Sequence, residues 1–364
     1  MTSPSPRGWR PRPSTTPTRR PEARPARPAS AVGTARPGTI GGCPETECAP
    51  SVTAATPERH EPSARRSHYE VRENRTVAPG FLQRGRRIWE YRELLGSLTR
   101  RELKIKYKDS ILGFLWTLLN PLLYLVVFSI VFAVLLRTDV PLYGVFLLSG
   151  LLAWTMFSTG VTGATISITG NGPLVQKVWF PREILPLSAI GAALINFFFQ
   201  FVVLVIALVV FQRAPAWEYL PLLIPALAVT VLWSAALGIV LSAVNVHYRD
   251  VQHFLELVFL AWFWLTPIVY QFDLVGDLLA ERGITDRLAM LNPMIPVVTT
   301  FQRVIYNPTH EIGTQAAANF DFLLGRSGMW YLENLAISGA MAAVVLVIGV
   351  KIFGKLEADL GEEL

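Results

Sequence analysis

The sequence predicts an all-α membrane protein with six transmembrane helices, an amphipathic interface helix ahead of the first and a short external helix before the last. Three observations predict it. The chain of 364 residues is 51% hydrophobic and only 16% charged, too little polar material to solvate a globular surface of that size. Apolar runs long enough to cross a ~30 Å hydrocarbon layer recur along it. The net charge of +6 is also uneven: residues 1–80 carry 13 Arg and 7 acids, residues 81–110 carry 9 Lys+Arg and 4 acids, and the remainder carries 11 and 16. Positive charge ahead of the apolar part suits a segment kept on the cytoplasmic side, and it needs no nucleic acid to explain it.

Residues 1–80 read as a disordered Arg/Pro-rich cytoplasmic tail. They hold 14 of the 26 Pro and no Lys, so they lack the means to bury a core. No apolar stretch of signal-peptide length follows Met1, so the first membrane helix is expected to direct insertion. Cys43 and Cys48 form a lone C-x4-C, short of the ligands a metal needs, and read as incidental thiols in a reducing compartment, with no metal site.

Residues 81–110 form the interface segment. Ile88, Tyr91, Leu95 and Leu98, then Ile105 after a break in the pattern, are spaced three and four apart among Arg92, Arg100, Arg101, Lys104 and Lys106. That spacing gives one apolar face, as for a helix lying in the cytoplasmic interface. Spans are expected at 113–136, 143–165, 185–211, 220–244, 251–270 and 331–353, within a membrane domain over 111–353, with 354–364 a short cytoplasmic tail. Basic residues precede span one, lie between two and three (Lys177, Arg182) and between four and five (Arg249), and follow six (Lys351, Lys355). Those ends, and so both termini, are expected in the cytoplasm of a plasma-membrane protein.

Polar residues inside the spans are few. Asn196 and Gln200 sit four apart in span three, where an amide facing lipid is costly, so they face protein or water. Ser234, Gly238 and Ser242 repeat every four residues, a small-residue face for close helix approach. Glu256 is the acid within span five, near enough to the cytoplasmic end to reach the headgroups. On the external side, Val297, Phe301, Val304 and Ile305 follow Pro293 and Pro296 at helical spacing, suiting a short helix that dips into the outer interface.

Five blocks then stand in a recognisable order: RRELKIKYKDSILGFLWTLLNPLLYLVVFSIVF (100–132), GNGPLVQKVWFPREILPLS (170–188), NVHYRDVQHF (245–254), WFWLTPIVY (262–270) and LNPMIPVVTTFQRVIY (291–306). Over residues 88–364 the chain resembles type-2 ABC permeases, in particular the subfamily that exports O-antigen, teichoic acid and related polysaccharides. The resemblance implies a homodimer joined to two copies of a separate ATPase subunit and moving a lipid-linked glycan outward among membrane lipids. It also implies that residues 291–306 belong to a re-entrant hairpin capping the exit. ATP and Mg would enter through the partner, with no cofactor bound by this chain. The sequence suits that division: the nearest approach to a P-loop, at 349–356, ends in Leu and sits at the end of a membrane helix.

Three cytoplasmic elements are candidates for receiving the ATPase stroke: the basic interface helix (Arg101, Lys104, Lys106, Tyr107), the 174–183 loop, and His247-Tyr248-Arg249-Asp250. In the middle loop, Val178, Trp179 and Phe180 read as an apolar knob stiffened by Pro181, with Lys177, Arg182 and Glu183 as its polar rim. They read equally as headgroup anchors, and the resemblance favours coupling. For a translocation path the candidates are Trp116, Asn120, Tyr124, Trp154, Phe157, Asn196, Gln200, Trp262, Trp264 and Tyr270, flat or amide-bearing side chains suited to sliding sugars. A membrane enzyme would need an acid pair, a His-Asp set or a metal cluster, and the five His, at 60, 68, 247, 253 and 310, form none. A drug-efflux permease of the same superfamily and a non-transporting scaffold remain as alternatives.

Overall fold

The computed structural model describes residues 81–108, 110, 113, 115–131, 142–272, 275, 281, 286–306 and 326–356, all within the unit Glu73–Leu364. The expected tail over 1–80 lies outside the described residues, as do 357–364 and half of the external stretch 271–330. Regular structure among the described residues is entirely helical. In chain order it comprises α1 (Phe81–Glu90), α2 (Arg92–Tyr107), α3 (Leu115–Ile130), α4 (Tyr143–Gly170), α5 (Gly172–Lys177), α6 (Ile184–Val210), α7 (Leu223–His247), α8 (Val251–Leu265), α9 (Met294–Tyr306) and α10 (Gly328–Leu356).

Four of these elements are long and apolar enough to cross a membrane: α4, α6, α7 with the 3-10 turn Trp217–Leu222 that opens it, and α10. They answer to the spans expected at 143–165, 185–211, 220–244 and 331–353, and α10 continues to Leu356, three residues past the expected boundary. The other two expected spans are shorter apolar helices, α3 of 16 residues and α8 of 15. At ~1.5 Å per residue the described helical residues of each fall short of the ~30 Å of a hydrocarbon core, so a span there takes in flanking residues as well. For α8 the cause is local. Pro267 pushes the residue before it out of the helical region, and Thr266 is extended at φ −105 and ψ 132.

The core is built around α4, which packs against α3, α6, α7, α8 and α9. Its Phe157, Val161, Ala164 and Ile168 are fully buried. Close approach depends on small residues, as the Ser234-Gly238-Ser242 stripe predicts: a Cβ on Gly238 would lie 2.6 Å from the Ala164 side chain. The two serines satisfy themselves, bonding Thr230 O and Ile239 O at 2.9 Å each, so the stripe stays dry. On the other side of α7, Trp233 Nε1 donates to Ser338 Oγ of α10 at 3.0 Å, and Ser338 Oγ in turn donates to Pro293 O at 3.0 Å.

Two expected elements take a more specific form. The interface segment is two helices, broken at Tyr91 (φ −94, ψ 20). In its second half Thr99 Oγ1 donates to Ser188 O of α6 at 3.3 Å and the Tyr107 hydroxyl donates to Asn196 Oδ1 at 2.8 Å, so α2 runs along the first half of α6. Second, α9, the helix expected at the outer interface, is enclosed by protein. Every residue from Met294 to Tyr306 is buried, and most of its polar side chains find partners there, while Arg303 Nε and Nη1 have no hydrogen-bond partner among the described residues. Thr300 bonds Pro296 O at 2.6 Å, Gln302 bonds Pro267 O at 3.0 Å, and the Arg303 guanidinium lies 4.3 Å over the Tyr219 ring.

Candidate functional site

The 171–183 loop between α4 and α6 is closed by local hydrogen bonds at both ends. Asn171 closes α4 by donating to Ser167 O at 2.9 Å, and Pro173 sets the first turn of α5. After Val178 the chain is extended, then re-enters α6 through turns from Ile184 N to Pro181 O at 3.1 Å and Leu185 N to Arg182 O at 3.2 Å. The expected three-residue knob divides. Phe180 is 6% exposed and turned into a second apolar cluster with Leu98, Ile184 and Phe353, whereas Trp179 is 80% exposed and Val178 51%. Helix α5 is capped by Val178, whose backbone is extended (φ −127, ψ 131), and the next two side chains part, Trp179 outward and Phe180 inward. Lys177 is exposed and Arg182 half-buried. Glu183, expected on the rim, is buried and ion-paired with Arg84 of α1.

Beside this loop, the His247–Asp250 turn presents Tyr248 at 70% exposure, with Arg249 and Asp250 also exposed. Thr169, Gly172, Gln176, Arg249 and Gln252 line a cleft of about 550 Å³ where the ends of α4, α5, α7 and α8 converge. Asn245, 2% exposed below it, donates to Thr169 Oγ1 at 3.3 Å and keeps a buried Oδ1 with no partner among the described residues. The structure therefore brings the middle loop and Arg249 to one face. Arg101, Lys104 and Tyr107 are elsewhere, along a separate groove of about 900 Å³ between α2 and Phe199 of α6. Lys106 beside them has its ammonium shifted below the ordinary lysine range by desolvation.

The expected path residues also divide. Trp154 and Phe157 are 5% and 0% exposed and stack edge-on with Trp262 at 6.2 and 5.3 Å, in a ring cluster completed by Phe259 and Phe263. Trp262 donates to Asn292 Oδ1 at 2.8 Å and so ties α8 to the start of α9. Trp154 and Phe157 fill the protein interior, and Trp262 is half-buried at its edge. Asn196 accepts from Tyr107 at 2.8 Å, and Gln200 accepts from Thr155 Oγ1 at 3.2 Å, so both amides bridge helices. Trp116, Asn120 and Tyr124 share the exposed face of α3. Trp264 is 58% exposed, and its carbonyl accepts from the Tyr270 hydroxyl at 2.8 Å. Glu256 is exposed on α8. Residues 349–356 lie in α10, with Gly349 packed on Val240, and a continuous helix leaves no loop to wrap a phosphate.

Sequence reasoning missed Arg84 and Asn245. Arg84 stands in an Arg-rich stretch where its neighbours are exposed, and its partner is 99 residues away, so local spacing held no signal. Asn245 was visible as an amide at the end of an apolar run, next to the His-Tyr-Arg-Asp turn.

A family model for the ABC-2 type transporter matches residues 93–306, from the second residue of α2 to the last of α9. The O-antigen export system permease protein RfbA of Myxococcus xanthus is 35% identical over 222 residues, which is 61% of this chain and 83% of that protein. A protein of the same name from Klebsiella pneumoniae is 28% identical over 273 residues, or 75% and 95% of the two chains. With more than half its length inside the family match and most of a relative aligned, the chain belongs to the ABC-2 type transporter family.

Proposed function

We propose that this chain is the permease subunit of an ATP-driven exporter that moves a lipid-linked polysaccharide of the O-antigen or teichoic acid type out of the cytoplasmic leaflet. The observation that carries the reading is the cytoplasmic face: an exposed Trp179 on a loop pinned from beneath by Phe180, beside a polar cleft that also contains Arg249. A buried anchor next to an exposed aromatic suits a docking element that moves as a unit, since interface energy concentrates in such aromatics. The names of the Myxococcus and Klebsiella relatives supply the cargo class.

On this reading two copies of the chain assemble with two copies of a separate ABC ATPase, which holds ATP and Mg, and this chain binds no cofactor. α3 and α8 complete a set of six spans, both termini are cytoplasmic, and α9 is the outward limb of the re-entrant hairpin near the exit. The path draws on the exposed residues Trp116, Asn120, Tyr124, Trp264 and Tyr270, with Asn196 and Gln200 beside it, and leaves Trp154, Phe157 and Trp262 to packing. Asn120 favours this, because an exposed amide among apolar neighbours needs water or a polar partner. Lys177, Val178, Trp179, Arg182, Arg249 and Asp250 meet the ATPase.

Depletion of the chain followed by lipid-linked glycan analysis tests the proposal. Accumulation of glycan on the cytoplasmic side is the expected result. Unchanged glycan with impaired clearance of a drug would replace it with the efflux reading, and no transport phenotype with no co-purifying ATPase would replace it with the scaffold.

A further inference from the structure

We infer that Arg84 is a positioning residue for the coupling loop. Its guanidinium latches α1 both to Glu183, at the loop's end, and to the bare backbone of Gly354 on α10, so that the three elements shift together. The inference rests on the proposed role of the loop in receiving the ATPase stroke.

Arg84 and Glu183 are 8% and 5% exposed and meet in a direct ion pair. One turn further along α1, Arg86 and Glu90 form the ordinary alternative, an i,i+4 pair at 3.5 Å with side chains 84% and 59% exposed. A solvated pair of that kind contributes little and specifies nothing. Arg84 differs in being enclosed. A Cβ added to Gly354 would fall on the guanidinium, 3.2 Å from Cζ and closer still to Nη2. Gly354 is thus the third wall of the Arg84 site, and a side chain there would require the guanidinium to shift.

Removing two charges from water offsets most of what their attraction gains, so such a pair is poorly explained as a source of stability. Direction explains it better. Beneath it, Leu98, Phe180, Ile184 and Phe353 make an apolar contact, which is non-directional and lets surfaces slide. A hydrogen-bonded ion pair fixes which atoms meet. The loop bearing Trp179 ends at Glu183, so a displacement of Trp179 is delivered through Arg84 to α1 and through the same guanidinium to the end of α10.

The test uses the full chain with its co-purified ATPase and compares wild type, Arg84→Glu, Glu183→Arg, the double exchange, and Gly354→Ala. Export per ATP hydrolysed is the first readout. It is expected to fall at least tenfold in each single variant while ATP hydrolysis persists, and to return to within threefold of wild type in the double exchange. The second readout is the distance between spin labels at Arg87 and Val178 in a chain whose Cys43 and Cys48 are Ser. Single variants should broaden it, and the double exchange should narrow it again. Unchanged export per ATP in the inserted single variants, or a double exchange no better than either, overturns the latch. If wild type shows no ATP-driven export, the transporter reading has failed, and the spin-label distances alone decide whether the latch exists.

Discussion

Tyr107 and Asn196, 89 residues apart, share a hydrogen bond of 2.8 Å, and the same phenol oxygen meets Thr117 Oγ1 of α3. One hydroxyl therefore joins the end of the basic helix α2, the start of the first apolar helix and the middle of α6. The phenol donates to the amide carbonyl and is left to accept from the threonine, so all three polar groups are satisfied in an apolar setting.

Replacing Tyr107 by Phe leaves Asn196 and Thr117 unpaired and should cost ~1–3 kcal/mol. Melting in detergent checks it, as a drop in midpoint. Asn196→Leu should behave alike, and the double variant should lose less than the sum, because the two side chains serve one interaction.

Trp179 and Phe180 should separate function from folding. Trp179→Ala is expected to leave insertion and melting nearly unchanged, since surface replacements usually fall within ~0.5 kcal/mol, and both Trp179→Ala and Arg182→Ala are expected to abolish export while the protein still inserts. Phe180→Ala empties a buried site and should cost ~3–5 kcal/mol. Membrane abundance and export measured on the same cells distinguish the two patterns.

Gly238→Ala should force α4 and α7 apart, because its new methyl would meet Ala164 at 2.6 Å. Overpacking of this kind costs ~1–3 kcal/mol. Gly170 has open space around its position, so Gly170→Ala is the matched control and should melt no lower than wild type.

Deletion of residues 2–75 should leave export within about twofold of wild type, as expected for a segment too polar to join a core. Extending the deletion through residue 85 removes Arg84 and should abolish export. Equal activity of the two truncations would contradict the role assigned to α1.

Much of the helical plan was legible because apolar periodicity and length are local properties. The runs at 143–165 and 185–211 sit within a residue or two of α4 and α6 at three of their four ends, and α4 outlasts its run to Gly170. What escaped depended on distant partners. The stretch 294–306 has the mixed pattern of an interfacial helix, and the Pro267 carbonyl and the Tyr219 ring that meet Gln302 and Arg303 in the interior stand far away in the sequence. The knob at 178–180 was read as one surface because its three residues are all apolar, while Phe180 joins an apolar cluster with Leu98 and Phe353 that local spacing does not show. Trp154 and Phe157 gave the sequence no sign that Phe259 and Trp262 would enclose them.

The burial of α9 also bears on how the protein is made. With 13 residues it is too short to be threaded across a bilayer on its own. One of its walls is α10, which follows it in the chain and supplies the Ser338 hydroxyl for Pro293 O. A nascent chain holds this segment against α4 and α7, with Arg303 already over Tyr219, but with the Ser338 wall missing until the following span has emerged from the ribosome and docked. Interruption of synthesis between residues 306 and 328 should therefore leave one side of α9 and the Pro293 carbonyl open to the membrane's quality-control proteases.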